Sequence, residues 1–217
     1  ADEVVGYSSF ETARFDEAVT QSMAVLANNA FTKFVHSNAG GALDLSNVGS
    51  GVTTLSLLDD ANTAAVGFAR LVDSSTNSLT IAGNTAGDTQ YATITANNEE
   101  TITISSGNAT TETFEAALAA SDLTSLTVTG TGAVTVTGAI TGATDLATVD
   151  STGNTALVTV NASTSAVNVT MTAGIGGSTF TTGAGADTLT GSNGVDTYVT
   201  GEGNDTLIGG AGADDFR

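Results

Sequence analysis

From Glu11 to Val160 the chain repeats one local pattern: a short run in which apolar residues alternate with Thr, Ser or a charge. Runs of this kind are Glu11–Phe15, Phe31–Val35, Val52–Leu57, Leu79–Ile81, Glu100–Ile104 and Leu123–Val128, recurring roughly every 20 to 24 residues. Between them lie Leu43–Leu45, Val66–Phe68, Ala92–Ile94, Val134–Val136 and Val158–Val160. A period of two is a strand signal, and β-branched Val, Ile and Thr suit a pleated surface packed by neighbours. Two strands for every 20-odd residues, repeated along the chain, predict an all-β parallel solenoid. Stacked at about 4.8 Å per coil, roughly ten coils make a rod on the order of 50 Å long.

The longer phase supports this. Leu123, Leu146 and Val169 are spaced by 23, and so are Val134, Leu157 and Phe180; Asp122, Asp145 and Asn168 hold a parallel phase. Both apolar series are therefore expected to stack inside the coils. Two segments also fit helix. Phe10 to Val35 places Val19, Met23, Leu26, Ala30 and Phe34 on one helical face, and the Ala-rich Thr113–Ala120 suits a single helical turn.

Composition narrows the class. The 217 residues include 26 Gly, 40 Thr, no Pro, no Cys and no Trp. Pro would delete a ladder donor in stacked coils, so its absence agrees with a solenoid. Hydrophobic residues make up 40% of the chain, which argues against disorder despite a net charge of −19. Four cations (Arg14, Lys33, Arg70, Arg217) make no basic footprint for nucleic acid, and no apolar run is long enough to span a membrane as a helix. Without Cys there is no disulfide frame and no thiolate metal site. The chain begins at Ala1 with no secretory leader and stops at Arg217 inside a repeat, so it reads as a piece of something longer.

Toward the C-terminus the period becomes nine. Asp187, Asp196, Asp205 and Asp214 recur in register, each followed two positions later by a large apolar residue: Leu189, Tyr198, Leu207 and Phe216. Glycines precede each acid. They let the chain turn tightly and bring its carbonyls outward, and the Asp adds a carboxylate beside them. Clustered hard oxygens are what Ca²⁺ selects. With two nonapeptides per coil, Asp187 stacks on Asp205 along one edge and Asp196 on Asp214 along the other. A cation between stacked turns relieves the repulsion that this stacking creates.

Residues 182 to 217 resemble the RTX calcium-binding repeats, a β-roll built on the nonapeptide Gly-Gly-x-Gly-x-Asp-x-apolar-x. The resemblance implies Ca²⁺ held by Asp187, Asp196, Asp205 and Asp214. It also implies ligation by carbonyls of the four residues that open each turn. These are Thr182, Gly183, Ala184 and Gly185; Gly191, Ser192, Asn193 and Gly194; Thr200, Gly201, Glu202 and Gly203; and Gly209, Gly210, Ala211 and Gly212. The turn at Ala173–Ser178 departs from the pattern because Ser178 stands where the acid would be, which implies a weak site there.

Upstream, Leu43-Asp-Leu-Ser-Asn47, Leu123-Thr-Ser-Leu-Thr-Val128 and Val134-Thr-Val-Thr-Gly138 resemble the Thr/Ala-rich S-layer proteins and large adhesins of Gram-negative bacteria. This resemblance implies type I secretion, with an uncleaved signal beyond Arg217, and an extracellular place on the cell surface. The domains follow as a Thr/Ala-rich solenoid over 1–172 and a calcium-binding roll over 173–217. The expected function is structural: a surface-layer protein that self-associates into a lattice or filament and contacts cell-surface polysaccharide. The alternatives are the stalk or binding module of an RTX adhesin, and the non-catalytic part of a secreted hydrolase.

Other residues have plainer readings. His36 is the sole histidine and is expected on a surface or strand face. Glu99 and Glu100, with Glu112 and Glu115 nearby, suggest the paired carboxylates of a glycosidase, but adjacent strand residues point to opposite faces. Asp59 and Asp60 read as a solvated turn. Asn108, Asn161 and Asn168 fit the glycosylation sequon, which is common by chance in a Thr-rich chain. No His-Glu-x-x-His and no Gly-x-Ser-x-Gly is present, so no enzyme is expected in this stretch.

Overall fold

Alternation in the sequence becomes two parallel sheets of ten strands each, joined coil by coil. The computed structural model describes residues 11–26, 30–37, 41–58, 64–85, 87–107 and 112–217. The first sheet stacks β1 (Thr12–Phe15), β3 (Lys33–His36), β5 (Thr54–Leu57), β7 (Ser78–Ala82), β9 (Thr101–Ser105), β11 (Ser125–Gly130), β13 (Thr148–Asn154), β15 (Thr170–Thr172), β17 (Thr188–Thr190) and β19 (Thr206–Ile208). The second stacks β2 (Val19–Ser22), β4 (Leu43–Val48), β6 (Ala65–Arg70), β8 (Thr89–Thr95), β10 (Thr113–Ala119), β12 (Ala133–Ala139), β14 (Val158–Asn161), β16 (Ser178–Thr181), β18 (Asp196–Val199) and β20 (Asp215–Phe216). The molecule is a parallel β-solenoid. Its ladders run without a break from β13 through β15 to β17, from the Thr-rich coils into the nonapeptides.

Each strand sends alternate residues inward. Leu79, Ile81, Ile102, Ile104, Leu126 and Val128 form the middle of one apolar column, and all are buried. At about 25 cal/mol per Å² of buried apolar surface, such columns are the main favourable term for the upstream coils. Leu123, Leu146 and Val169 are all buried, as their 23-residue phase predicts. The companion series fails. Leu157 is 46% exposed, and its neighbour Val158 takes the interior place opposite Val134. Phe180 pairs with Val160 instead, because the coil length shortens between β14 and β16.

Both helical readings are replaced by strand. Within Phe10–Val35 the described residues form β1, β2 and the start of β3, with one 3-10 turn at Met23–Leu26. Phe10 and residues 27–29 lie outside the described residues. Thr113–Ala119 is β10, and Phe114, Ala116 and Leu118 point inward. Ala favours helix when alone, but parallel pairing to both β8 and β12 outweighs that preference.

Candidate calcium-binding turns

Shorter coils bring the turns close together. Thr170 pairs with Thr188 and Thr188 with Thr206, a rise of 18 residues per coil. On the other sheet, Ser178 pairs with Asp196 and Thr197 with Asp215, at the same interval. Turns 182–187 and 200–205 therefore share one edge, and turns 191–196 and 209–214 the other, as the nonapeptide spacing implies.

The four acids are tied into the stack by one recurring bond. Asp205 Oδ1 accepts from Asp187 N at 3.0 Å, and Asp214 Oδ1 accepts from Asp196 N at 3.0 Å. Asp187 Oδ1 accepts from Val169 N at 2.8 Å, and Asp196 Oδ1 accepts from Ser178 Oγ at 2.8 Å. Each carboxylate thus leans on the coil before it. Asp196 Oδ2 also accepts from Ser192 N at 2.9 Å. Asp187 and Asp196 are buried, whereas Asp205 and Asp214 are half-buried.

Glycines make this spacing possible. A Cβ on Gly203 would fall on the Gly185 carbonyl oxygen, and Gly203 has φ +139°, a region that L side chains rarely adopt. Gly201 sits as tightly on the Gly183 carbonyl, and Gly191 on that of Gly209. The turn carbonyls named from the sequence therefore face the neighbouring turn at close range.

A buried carboxylate needs a positive partner or a metal ion. Among the described residues no Lys or Arg bonds to the four turn acids. Arg217 pairs with Asp215, Arg14 with Asp16, and Arg70 with Glu99. Asp187 Oδ2 and Thr182 Oγ1 are buried without a hydrogen-bond partner. Buried oxygens left over, surrounded by carbonyls and carboxylates, match the donor set of Ca²⁺, which takes six to eight oxygens. Asp187, Asp196, Asp205 and Asp214, with the turn carbonyls, are the groups that would hold it.

Inside the roll the apolar positions stack as Phe180, Tyr198 and Phe216, with centroids 6.1 and 5.6 Å apart. Burial, and then the negative charge of Asp196, pushes the Tyr198 phenol up to about 12. Phe216 is half exposed at the end of this column.

The remaining candidates take structural places. His36 is buried rather than on the surface, and its Nδ1 lies 2.9 Å from the Tyr91 hydroxyl. Glu99 and Glu100 diverge, as their adjacency predicts. Glu99 is fully buried against Arg70, with Nε–Oε1 2.5 Å and Nη2–Oε2 3.1 Å. Arg70 also donates to the carbonyls of Gly49, Val52 and Ser78 and lies 4.8 Å over the Phe68 ring. Glu100 accepts from Asn77 N at 2.6 Å. Glu112 is buried, and Glu115 is half-buried on β10. Asp59, Asp60 and Asn108 lie outside the described residues.

One grouping was not visible in the sequence. Asp73, Glu100 and Asp122 bring carboxylate oxygens within 4.8 Å of one another. They come from three successive coils of unequal length, so no fixed spacing marks them.

The comparisons agree with the roll. Residues 172–207 and 190–217 match the family described as RTX calcium-binding nonapeptide repeat, in four copies. No curated protein and no solved structure matches the chain. Proteins with such repeats are generally secreted to the extracellular space. Residues 172 to 217 therefore carry RTX calcium-binding repeats, set on the end of a parallel β-solenoid, and Ca²⁺ is the ion those turns bind.

Proposed function

We propose that this chain is a structural, non-catalytic part of a bacterial surface layer, which self-assembles outside the cell once its roll binds Ca²⁺. The observation that carries this reading is continuity. The same two sheets run from β1 to β20, so setting the roll with ions stiffens one end of an uninterrupted rod. A rod with parallel edges and a cation-dependent end is suited to bearing load and to lateral packing. The acids that suggested glycosidase chemistry have other duties: Glu99 is committed to Arg70, and Glu100 holds the Asn77 backbone. The net charge of −19 disfavours nucleic acid and favours contacts bridged by divalent cations, including contacts to acidic cell-surface polysaccharide.

Negative-stain microscopy of the protein in millimolar Ca²⁺ tests this. Sheets or a lattice that dissolve in chelator are expected. Well-formed single rods at every protein concentration would overturn the surface-layer reading and favour an adhesin stalk.

A further inference from the structure

The nonapeptides begin at Thr182, but the turn before them on the same edge already has their geometry. Residues 163–168 lie under turn 182–187 with the 18-residue rise of the roll: Val169 N donates to Asp187 Oδ1, and Ala186 N donates to Asn168 Oδ1. Gly183 sits over the Ser165 carbonyl, and Gly185 over Val167 O and Asn168 Oδ1, as Gly201 and Gly203 sit over Gly183 and Gly185 one coil later. Residues 163–168 themselves are Ser-Thr-Ser-Ala-Val-Asn, with no Gly and no acid, and they lie outside the repeat match.

At this seam the two orphaned oxygens gather. Asp187 leans toward turn 163–168 through Oδ1, while its Oδ2 is buried with no donor, and Thr182 Oγ1, at the start of the same turn, is buried with no partner. The other edge gives the contrast. There Asp196 meets Ser178, whose hydroxyl donates to Oδ1, while Ser192 N takes Oδ2, so both oxygens are satisfied by protein.

We propose that a further divalent-cation site lies between turn 163–168 and turn 182–187, with Asp187 as its carboxylate, Thr182 Oγ1 as a neutral ligand, and the Ser165 and Val167 carbonyls completing the lower half. The ion array then begins one turn ahead of the repeats on this edge only; on the other edge the Ser178 hydroxyl takes the cation's place. The site joins the rod to the roll, so filling it pins the first nonapeptide to a coil that is folded without ions. A single carboxylate makes it weaker than sites with two. This inference rests on the calcium-roll reading.

The test is calcium titration of the full chain by calorimetry, with Thr182→Val, Asn168→Asp and Asp205→Asn. Thr182→Val keeps the carbonyl that the repeat uses and removes only the hydroxyl. It should lower the affinity of one ion severalfold, yet leave the chelated protein as stable or more so, because an unsatisfied buried hydroxyl is gone. Asn168→Asp adds a second acid at the seam and should tighten that same ion severalfold. Asp205→Asn should weaken a different ion and leave the seam ion in place. Wild-type calcium binding that drops with Asp205→Asn but is untouched by both Thr182→Val and Asn168→Asp overturns the seam site alone. Absence of any calcium binding by the wild type overturns the roll reading with it.

Discussion

The coils before β15 and those after it are stacked by the same ladders but filled differently. Upstream, Ser78 pairs with Thr101 and Thr101 with Ser125, so each coil has 23 or 24 residues and room for paired columns of Leu, Ile and Val. In the roll the coil shrinks to 18 residues, and each strand contributes one large inward residue, such as Leu189 or Tyr198. What the shorter coil loses in apolar filling it replaces at its corners, where acids and carbonyls face one another. One backbone ladder can thus be held by burial of apolar surface or by ions between turns. The first is present at synthesis, whereas the second depends on the surrounding Ca²⁺ concentration through mass action.

This contrast can be broken from either side. The largest single effect is expected upstream, at Arg70→Leu, which leaves Glu99 buried without its partner. A loss of about 3–5 kcal/mol in urea unfolding is expected, the same with and without Ca²⁺. Replacing both residues with apolar ones should restore most of it. Leu126→Ala, in the middle of the interior column, should cost about 2–5 kcal/mol by the same measurement, again independent of Ca²⁺. A calcium-dependent cost for either variant would merge the two regions into one.

In the roll, Asp205→Asn should raise the Ca²⁺ midpoint for folding by about tenfold or more, since it removes one charge from the stack above Asp187. Asp150→Asn is the control. Asp150 lies on β13 and bonds only to Thr152, and the change should leave the midpoint within error. Circular dichroism during calcium titration reads both.

The smallest effect concerns pH. Burial raises the Glu99 carboxyl above its ordinary value of 4.5, even though Arg70 pulls it down. The folded state therefore holds this proton to a higher pH than the unfolded chain. The stability that this contributes is fully present below the ordinary value and is lost as pH rises through the raised one. Comparing wild type with Glu99→Gln by urea unfolding across that window should show a shallow fall in the wild type relative to the variant.

How much could be read beforehand follows from what each feature depends on. The 18-residue rise, the edge pairing of the four acids and the inward Leu189, Tyr198, Leu207 and Phe216 were legible because the repeat is strict and local. Upstream, alternation marked most strands, but β2 and β13 were missed and β10 was confused with helix, because Thr, Gln and Ala weaken the alternating signal. Leu157 was misplaced since a coil lost residues between two well-phased neighbours. Contacts between coils were invisible. Arg70 meets Glu99 at a separation of 29 residues, and His36 meets Tyr91 at 55, distances fixed only by the lengths of the intervening loops. The left-over oxygens of Asp187 and Thr182 likewise emerge only when turn 163–168 is seen beneath them.

The central claim is that apolar filling holds the upstream coils and Ca²⁺ holds the roll. Amide hydrogen exchange on the full chain, with saturating Ca²⁺ and then with excess chelator, tests it most directly. The account expects the amides of β17 to β20 to be protected with Ca²⁺ and to exchange freely in chelator, while those of β7 to β12 stay protected in both. Equal protection of β17 to β20 in chelator, or loss of both regions together, would contradict it.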